Sequence, residues 1–102
     1  MAKHLSMLTL RCPPGRREEA LAQFTQYGVL AICRDAVPGF LWGSLLRSRD
    51  DEDTACVICE WVDEAAFEQW MNSPLRSVDT PERLFEPSGR SALFELVQTL
   101  QR

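Results

Sequence analysis

Histidine and lysine are nearly missing from this chain: His4 and Lys3 are the only examples in 102 residues, beside ten arginines. A single imidazole excludes a histidine pair for zinc, and no central histidine is present to activate a serine or cysteine nucleophile. A glycine-rich phosphate loop is also missing. No apolar run approaches the roughly 20 residues that a bilayer-spanning helix requires. The N-terminal MAKHLSMLTLRC has neither the long apolar stretch nor the small-residue cleavage site of a signal peptide. The net charge is -4 and the pI is about 4.9, which argues against nucleic acid or an anionic membrane as partner, because either needs a basic face. The expectation is one domain, residues 1–102, in a cytoplasmic protein with reduced thiols.

Four cysteines are present, and Cys56-Val-Ile-Cys59 has the letters of a redox or zinc pair. It lies in a β-patterned run, where side chains three apart point to opposite faces. Such a pair neither chelates one ion nor closes an easy disulfide. Cys12, Cys33, Cys56 and Cys59 are therefore expected to be small buried hydrophobes. Asp50 to Asp53 lacks the spacing of a calcium loop and reads as a solvated hairpin tip. No metal site is expected.

Leu5 to Cys12 reads as a strand, with Leu8 and Leu10 on one face and Met7 and Thr9 on the other. Pro13-Pro14-Gly15 stops it. From Arg16 to about Arg34, Leu21, Phe24, Gly28 and Ala31 recur at helical spacing, predicting one helix that leaves Arg17, Glu18, Glu19, Gln23 and Gln26 mostly to water. Gly28 weakens that helix, and close approach to the sheet or room for a ligand would compensate. Val37-Pro38-Gly39 turns into a second strand, Phe40 to Arg47, and Arg49 to Asp53 forms the hairpin tip. Thr54 to Val62 is the third strand. Asp63 is placed as the N-cap of a helix running to about Asn72, ended or bent by Pro74. Ser77 to Gly89 is the least regular region, with Thr80-Pro81-Glu82 able to cap a short turn around Arg83 to Phe85. Ser91 to Leu100 is the fourth strand.

The order is strand, helix, hairpin, helix, strand, a split βαβ pattern with an antiparallel four-stranded sheet. In the third strand Ala55, Val57, Cys59 and Trp61 form one apolar row. Cys56, Ile58 and Val62 form the other, interrupted by Glu60. An antiparallel sheet with a wet side alternates apolar and polar residues. Two helices cover one face; the remaining chain supplies nothing for the other. A second copy of the sheet, packed face to face, is expected to cover it.

The elements PPG-RREEAL, VPGF and EW-VDEAAFEQWMNSP, in this βαββαβ order, resemble the antibiotic biosynthesis monooxygenase family over roughly Leu5 to Pro74. The most specific part is the run of Glu60, Trp61, Asp63, Ala66 and Phe67 after the hairpin. The resemblance implies an α+β, ferredoxin-like fold that dimerises into an α/β barrel. It also implies oxygenation of a small phenolic or polycyclic aromatic compound with no metal or other cofactor. The quinone-forming branch uses an asparagine and a tryptophan four residues apart on the third strand; here these positions hold Val57 and Trp61. The haem-degrading branch uses an asparagine on the first strand, a tryptophan on the second helix and an axial histidine ten residues later. Those positions hold Ser6, Trp70 and Thr80.

Trp61 and Trp70 are thus the candidate catalytic residues, as pocket wall and indole N–H donors, while each is equally a core residue in the ordinary run of proteins. Ser6, Phe24, Val57 and Arg76 are the candidate substrate-binding residues, with Arg34, Arg76 or Ser6 able to hold an oxyanion. Arg76 has the alternatives of solvation or pairing with Asp79, and Trp42 is read as core or dimer-face packing. Glu60 and Glu95 would form either an acid–base pair or edge and interface charges. A non-catalytic dimer that binds a small apolar metabolite or assists a pathway enzyme is the competing function.

Overall fold

The computed structural model describes residues 2–76 and 82–102. Strand β1 (His4–Arg11) leads to helices α1 (Arg17–Tyr27) and α2 (Val29–Ala36), then to the hairpin of β2 (Phe40–Arg47) and β3 (Thr54–Trp61). Helix α3 (Glu64–Met71), a 3-10 turn (Pro74–Arg76) and two short strands, β4 (Glu86–Pro87) and β5 (Ala92–Glu95), complete the described elements. All pairings are antiparallel in the order β2–β3–β1, with β4 and β5 both on the remaining edge of β1. This is the ferredoxin-like α+β arrangement.

The fourth strand differs from its expected span. It is split around the left-handed Gly89 (φ 80°), and its second piece stops at Glu95, which pairs with His4, the first residue of β1. Leu96 N–H still reaches the Lys3 carbonyl at 2.8 Å, but beyond it β1 offers no further partner. Val97 and Leu100 are consequently more than nine-tenths exposed.

The first helix is also two helices. Gly28 adopts φ 65°, ψ 36°, and caps α1 by donating its N–H to the Thr25 carbonyl. This left-handed geometry is readily available to glycine alone. A Cβ there would meet nothing within 4 Å, so the glycine serves a change of helix axis, not a close approach to the sheet. The break resets the helical phase: Cys33 is buried in α2 while Ala31 is exposed. Arg17 and Gln23 are not left to water either. Arg17 Nη1 donates to the Ser48, Asp51 and Thr54 carbonyls at 2.8–3.1 Å and clamps the β2–β3 hairpin. In that tip Asp53 accepts from Gly15 N–H, and Asp51 accepts from Asp53 N–H.

Asp63 caps α3 as the sequence implies, accepting from Ala66 N–H at 2.9 Å. Just before β2, Gly39 lets the turn lie against this helix. A Cβ on Gly39 would come within 2.5 Å of Ala66 Cβ and 2.9 Å of Val62 Cγ2. Thr80 and Pro81 lie outside the described residues, and Arg83 to Phe85 forms no helical turn.

The helices cover the sheet face carrying Leu10, Ala55, Cys59 and Trp61. By register, the opposite face carries Leu5 and Met7 of β1, Trp42 and Leu46 of β2, Cys56 and Ile58 of β3, and Phe94 of β5. Met7, Trp42, Leu46 and Phe94 are 40–52% exposed. Trp42 is therefore not a core residue of the single chain. Glu60 shares its outer face, whereas Glu95 pairs with His4 and is in register with the inner row, so the two carboxylates are on opposite faces and form no acid–base pair.

Candidate functional site

Between the inner face of the sheet and the helices lies a cavity of about 270 Å³. That is near the lower edge of the roughly 300–1,000 Å³ usual for small-molecule pockets. All six sequence-derived candidates line it: Ser6 from β1, Phe24 from α1, Val57 and Trp61 from β3, Trp70 from α3 and Arg76 from the 3-10 turn. Strand alternation explains the convergence of Ser6, Val57 and Trp61, which occupy the inner rows of two neighbouring strands. Arg34 is elsewhere, paired with Asp35 at 3.0 Å on the exposed side of α2.

Trp61 is only 1% exposed, and its ring packs edge-on against Phe40 (5.7 Å) and Phe67 (5.9 Å). Its indole N–H is already engaged, donating to Ser6 Oγ at 3.0 Å. Ser6 faces Cys59 in register, so Trp61 is its diagonal neighbour on the same face. Ser6 is the only buried polar side chain among the described residues, at 7% exposure. Because its oxygen accepts from Trp61, the Ser6 hydroxyl proton remains as a donor. The expected role of the Trp61 N–H as a free donor to a ligand is thereby corrected: its proton is spent on Ser6, and Ser6 carries the donor.

The sequence reading missed several lining residues. Leu30 and Cys33 were out of phase with a continuous helix and become cavity walls only through the Gly28 break. Cys59, a buried hydrophobe as the sequence implies, also lines the cavity, while Cys56, three residues away, belongs to the outer face. Burial raises the Cys33 thiol to about 12 and the Cys59 thiol to about 11, the latter aided by Cys56, so both remain protonated near neutral pH. Arg83 and Phe85 were missed because they sit in an irregular segment without periodicity. Phe85 packs edge-on against Phe24 at 5.2 Å, and the Arg83 guanidinium lies 5.7 Å from the centre of the Phe85 ring.

Gly43 on β2 lets two cavity-lining side chains pack close to the strand, since a Cβ there would lie 2.9 Å from Leu30 Cδ2 and 3.1 Å from Cys59 Sγ. No group of three or more His, Cys, Asp or Glu side chains suited to a metal occurs among the described residues. No helix among them is long and apolar enough to cross a membrane.

Known structures place this arrangement. The chain is similar to SnoaB, a cofactor-independent oxygenase from Streptomyces nogalater, with 22% identity, a TM-score of 0.68 and all of both chains covered. It is also similar to MhuD, a haem-degrader from Mycobacterium tuberculosis solved with two haems in its active site. Here identity is 22% and the TM-score 0.74, over 96% of this chain and 99% of that one. A third likeness, at 14% identity and TM-score 0.62, is to a protein of Chloroflexus aurantiacus described as an antibiotic biosynthesis monooxygenase; it covers 97% of each chain. At these identities the structural likeness establishes the fold. No curated protein matches the chain. The family model for antibiotic biosynthesis monooxygenases matches residues 4–77, most of the chain, and the protein belongs to that family.

Proposed function

We propose that this protein is a cofactor-independent monooxygenase that binds a small phenolic or polycyclic aromatic compound in the inner cavity and works as a homodimer. The observation that carries the reading is the Trp61–Ser6 pair: one buried hydroxyl, held by an indole, in a cavity walled mostly by apolar and aromatic side chains. An anthrone-like substrate loses a proton to become a delocalised carbanion, which passes one electron to dioxygen. The two radicals combine into a peroxide, and loss of water leaves a ketone. One oxygen atom thus enters the substrate, the other leaves as water, and the substrate is the only reductant.

The protein's share in this scheme is to position the rings against Trp70 and Phe24 and to stabilise negative charge where it develops. The Ser6 hydroxyl supplies a donor inside the cavity, and Arg76 supplies positive charge at its rim. Trp61 acts through Ser6 as a positioning residue.

A haem-degrading role, the activity named for the mycobacterial neighbour, does not fit the donor set. His4, the single histidine, is not among the residues lining the cavity, and its Nδ1 lies 3.1 Å from the Ala2 carbonyl. The cavity thiols are held protonated by burial. A second reading, binding without catalysis, is favoured by Val57, which offers no hydrogen bond where the quinone-forming branch has an amide. The deciding measurement is oxygen consumption with dithranol, a model anthrone. Uptake of one dioxygen per substrate supports the oxygenase. No uptake, with tryptophan fluorescence still quenched by bound aromatics, supports the binding protein.

The dimer reading is supported by the uncovered apolar face of the sheet. Sedimentation at micromolar concentration is expected to give a species of twice the 11.6 kDa chain mass. A single 11.6 kDa species would overturn it.

A further inference from the structure

We infer that Gly43 sets the length of ring system the cavity accepts, by leaving room for Leu30 to stand back from a waist between the cavity's two ends. This rests on the reading of the cavity as a ligand site and adds the residue that limits the size of its ligand.

The lining divides between two buried clusters. Leu10, Phe24 and Phe85 belong to one, and Cys59, Trp61 and Phe67 belong to the other. Leu30 of α2 and Val57 of β3 line the cavity and pack against both clusters. A helix residue and a strand residue that each touch both clusters mark the waist where the two ends meet. A small ligand fits within one end. A longer planar ring system has to lie between Leu30 and Val57.

Gly43 is not itself a lining residue; it stands behind the waist. It is in register with Cys59 on the inner row of β2. A Cβ there would lie 2.9 Å from Leu30 Cδ2 and 3.1 Å from both Cys59 Sγ and Phe40 Cζ. Carbon atoms in good contact are about 3.5–4.0 Å apart, so these three side chains already occupy the space of the missing methyl. Each contact is the end of a side chain and none is backbone, so the fold can absorb the methyl by moving them. For Leu30 and Cys59 the open space is the cavity they line.

Little slack exists there. The cavity holds about 270 Å³, and in a packed interior a change of one methylene is felt. Leu30 pushed off Gly43 narrows the waist against Val57 and leaves the two ends separately accessible. Gly43 is thus a specificity-determining residue that acts through Leu30, without touching the ligand.

The test is calorimetric titration of the whole protein with 2-naphthol and 2-anthrol, which share one hydroxyl and differ by one fused ring. In Gly43→Ala, 2-anthrol is expected to bind about tenfold more weakly than to the wild-type chain, the scale of overpacking by a methyl group. Affinity for 2-naphthol should change less than about twofold, which also shows that the variant is folded. Adding Leu30→Ala to Gly43→Ala removes the side chain nearest the new methyl. The pair should return 2-anthrol affinity to within about twofold of the wild-type value, as expected of two coupled neighbours. An effect on 2-anthrol no larger than that on 2-naphthol, or a loss that Leu30→Ala leaves in place, overturns the role of Gly43 and leaves the ligand-site reading standing. An unfolded Gly43→Ala chain does the same, since the glycine would then serve folding alone. So does a wild-type chain that binds 2-naphthol but not 2-anthrol. Binding of neither compound by the wild-type chain overturns both.

Discussion

Truncation of Trp61 to alanine is expected to cost about 3–5 kcal/mol, the range for removing a large aromatic from a packed core. The side chain is 1% exposed and joins β3 to Phe40 of β2 and Phe67 of α3, so its loss opens a hole at the meeting point of three elements. A domain of this size holds about 5–15 kcal/mol in total. At about 4–8 °C per kcal/mol, the melting temperature should fall by more than about 10 °C. Protein concentration must be fixed in the comparison, because dimerisation would add its own stabilisation.

The companion variant Trp61→Phe separates packing from hydrogen bonding. It retains an aromatic ring but removes the N–H that Ser6 accepts. The loss of that bond alone should cost about 0.5–1.5 kcal/mol, with a further contribution from the smaller ring. If dithranol oxidation falls by much more than the stability change explains, Trp61 acts through the placement of the Ser6 hydroxyl. Unchanged oxidation in a folded Trp61→Phe protein would reduce Trp61 to a core residue.

Trp61 also shows what was legible in the sequence. Alternation in β3 put Val57, Cys59 and Trp61 on one face, and alternation in β1 put Leu8 and Leu10 on another strand's inner row. Backbone period alone fixes such facts, and the structure agrees. What alternation does not contain is which residues of two strands become diagonal neighbours. Ser6 and Trp61 are 55 positions apart, and their bond depends on the β1–β3 register, a non-local quantity.

The break in the first helix is likewise outside the stripe pattern. Leu21, Phe24, Gly28 and Ala31 continue one stripe on paper, but a glycine at φ 65° ends the helix and restarts it in a new phase. That phase, rather than the stripe, brings Leu30 and Cys33 to the cavity. The fourth strand is shorter than its pattern because apolar residues in SALFELVQTL satisfy a strand pattern whether or not a partner exists. Pairing stops where β1 begins, and Val97 and Leu100 are left in solvent. Arg83 owes its place to Gln23, a residue that reads as a solvated helix position until the 82–84 backbone is seen against it.

Val57→Asn should have the largest effect on activity. Val57 lines the cavity on the inner row of β3, between Leu8 and Leu45 in register and four residues before Trp61. An amide there adds a fixed donor to a wall that now offers none, beside the hydroxyl that Trp61 orients. One such donor, aimed at developing negative charge, is worth about 10²–10³ in rate where it has been removed from other enzymes. Dithranol oxidation is therefore expected to rise by up to about 10²-fold over the wild-type chain. The same substitution buries an amide in apolar surroundings, so stability should fall by about 1–3 kcal/mol, read from urea unfolding. The opposed signs separate the two effects: a protein that is less stable but faster has gained a charge-stabilising group. A folded Val57→Asn protein with no gain in rate would place the reacting carbon away from β3 and count against oxygenation beside Ser6 and Trp61.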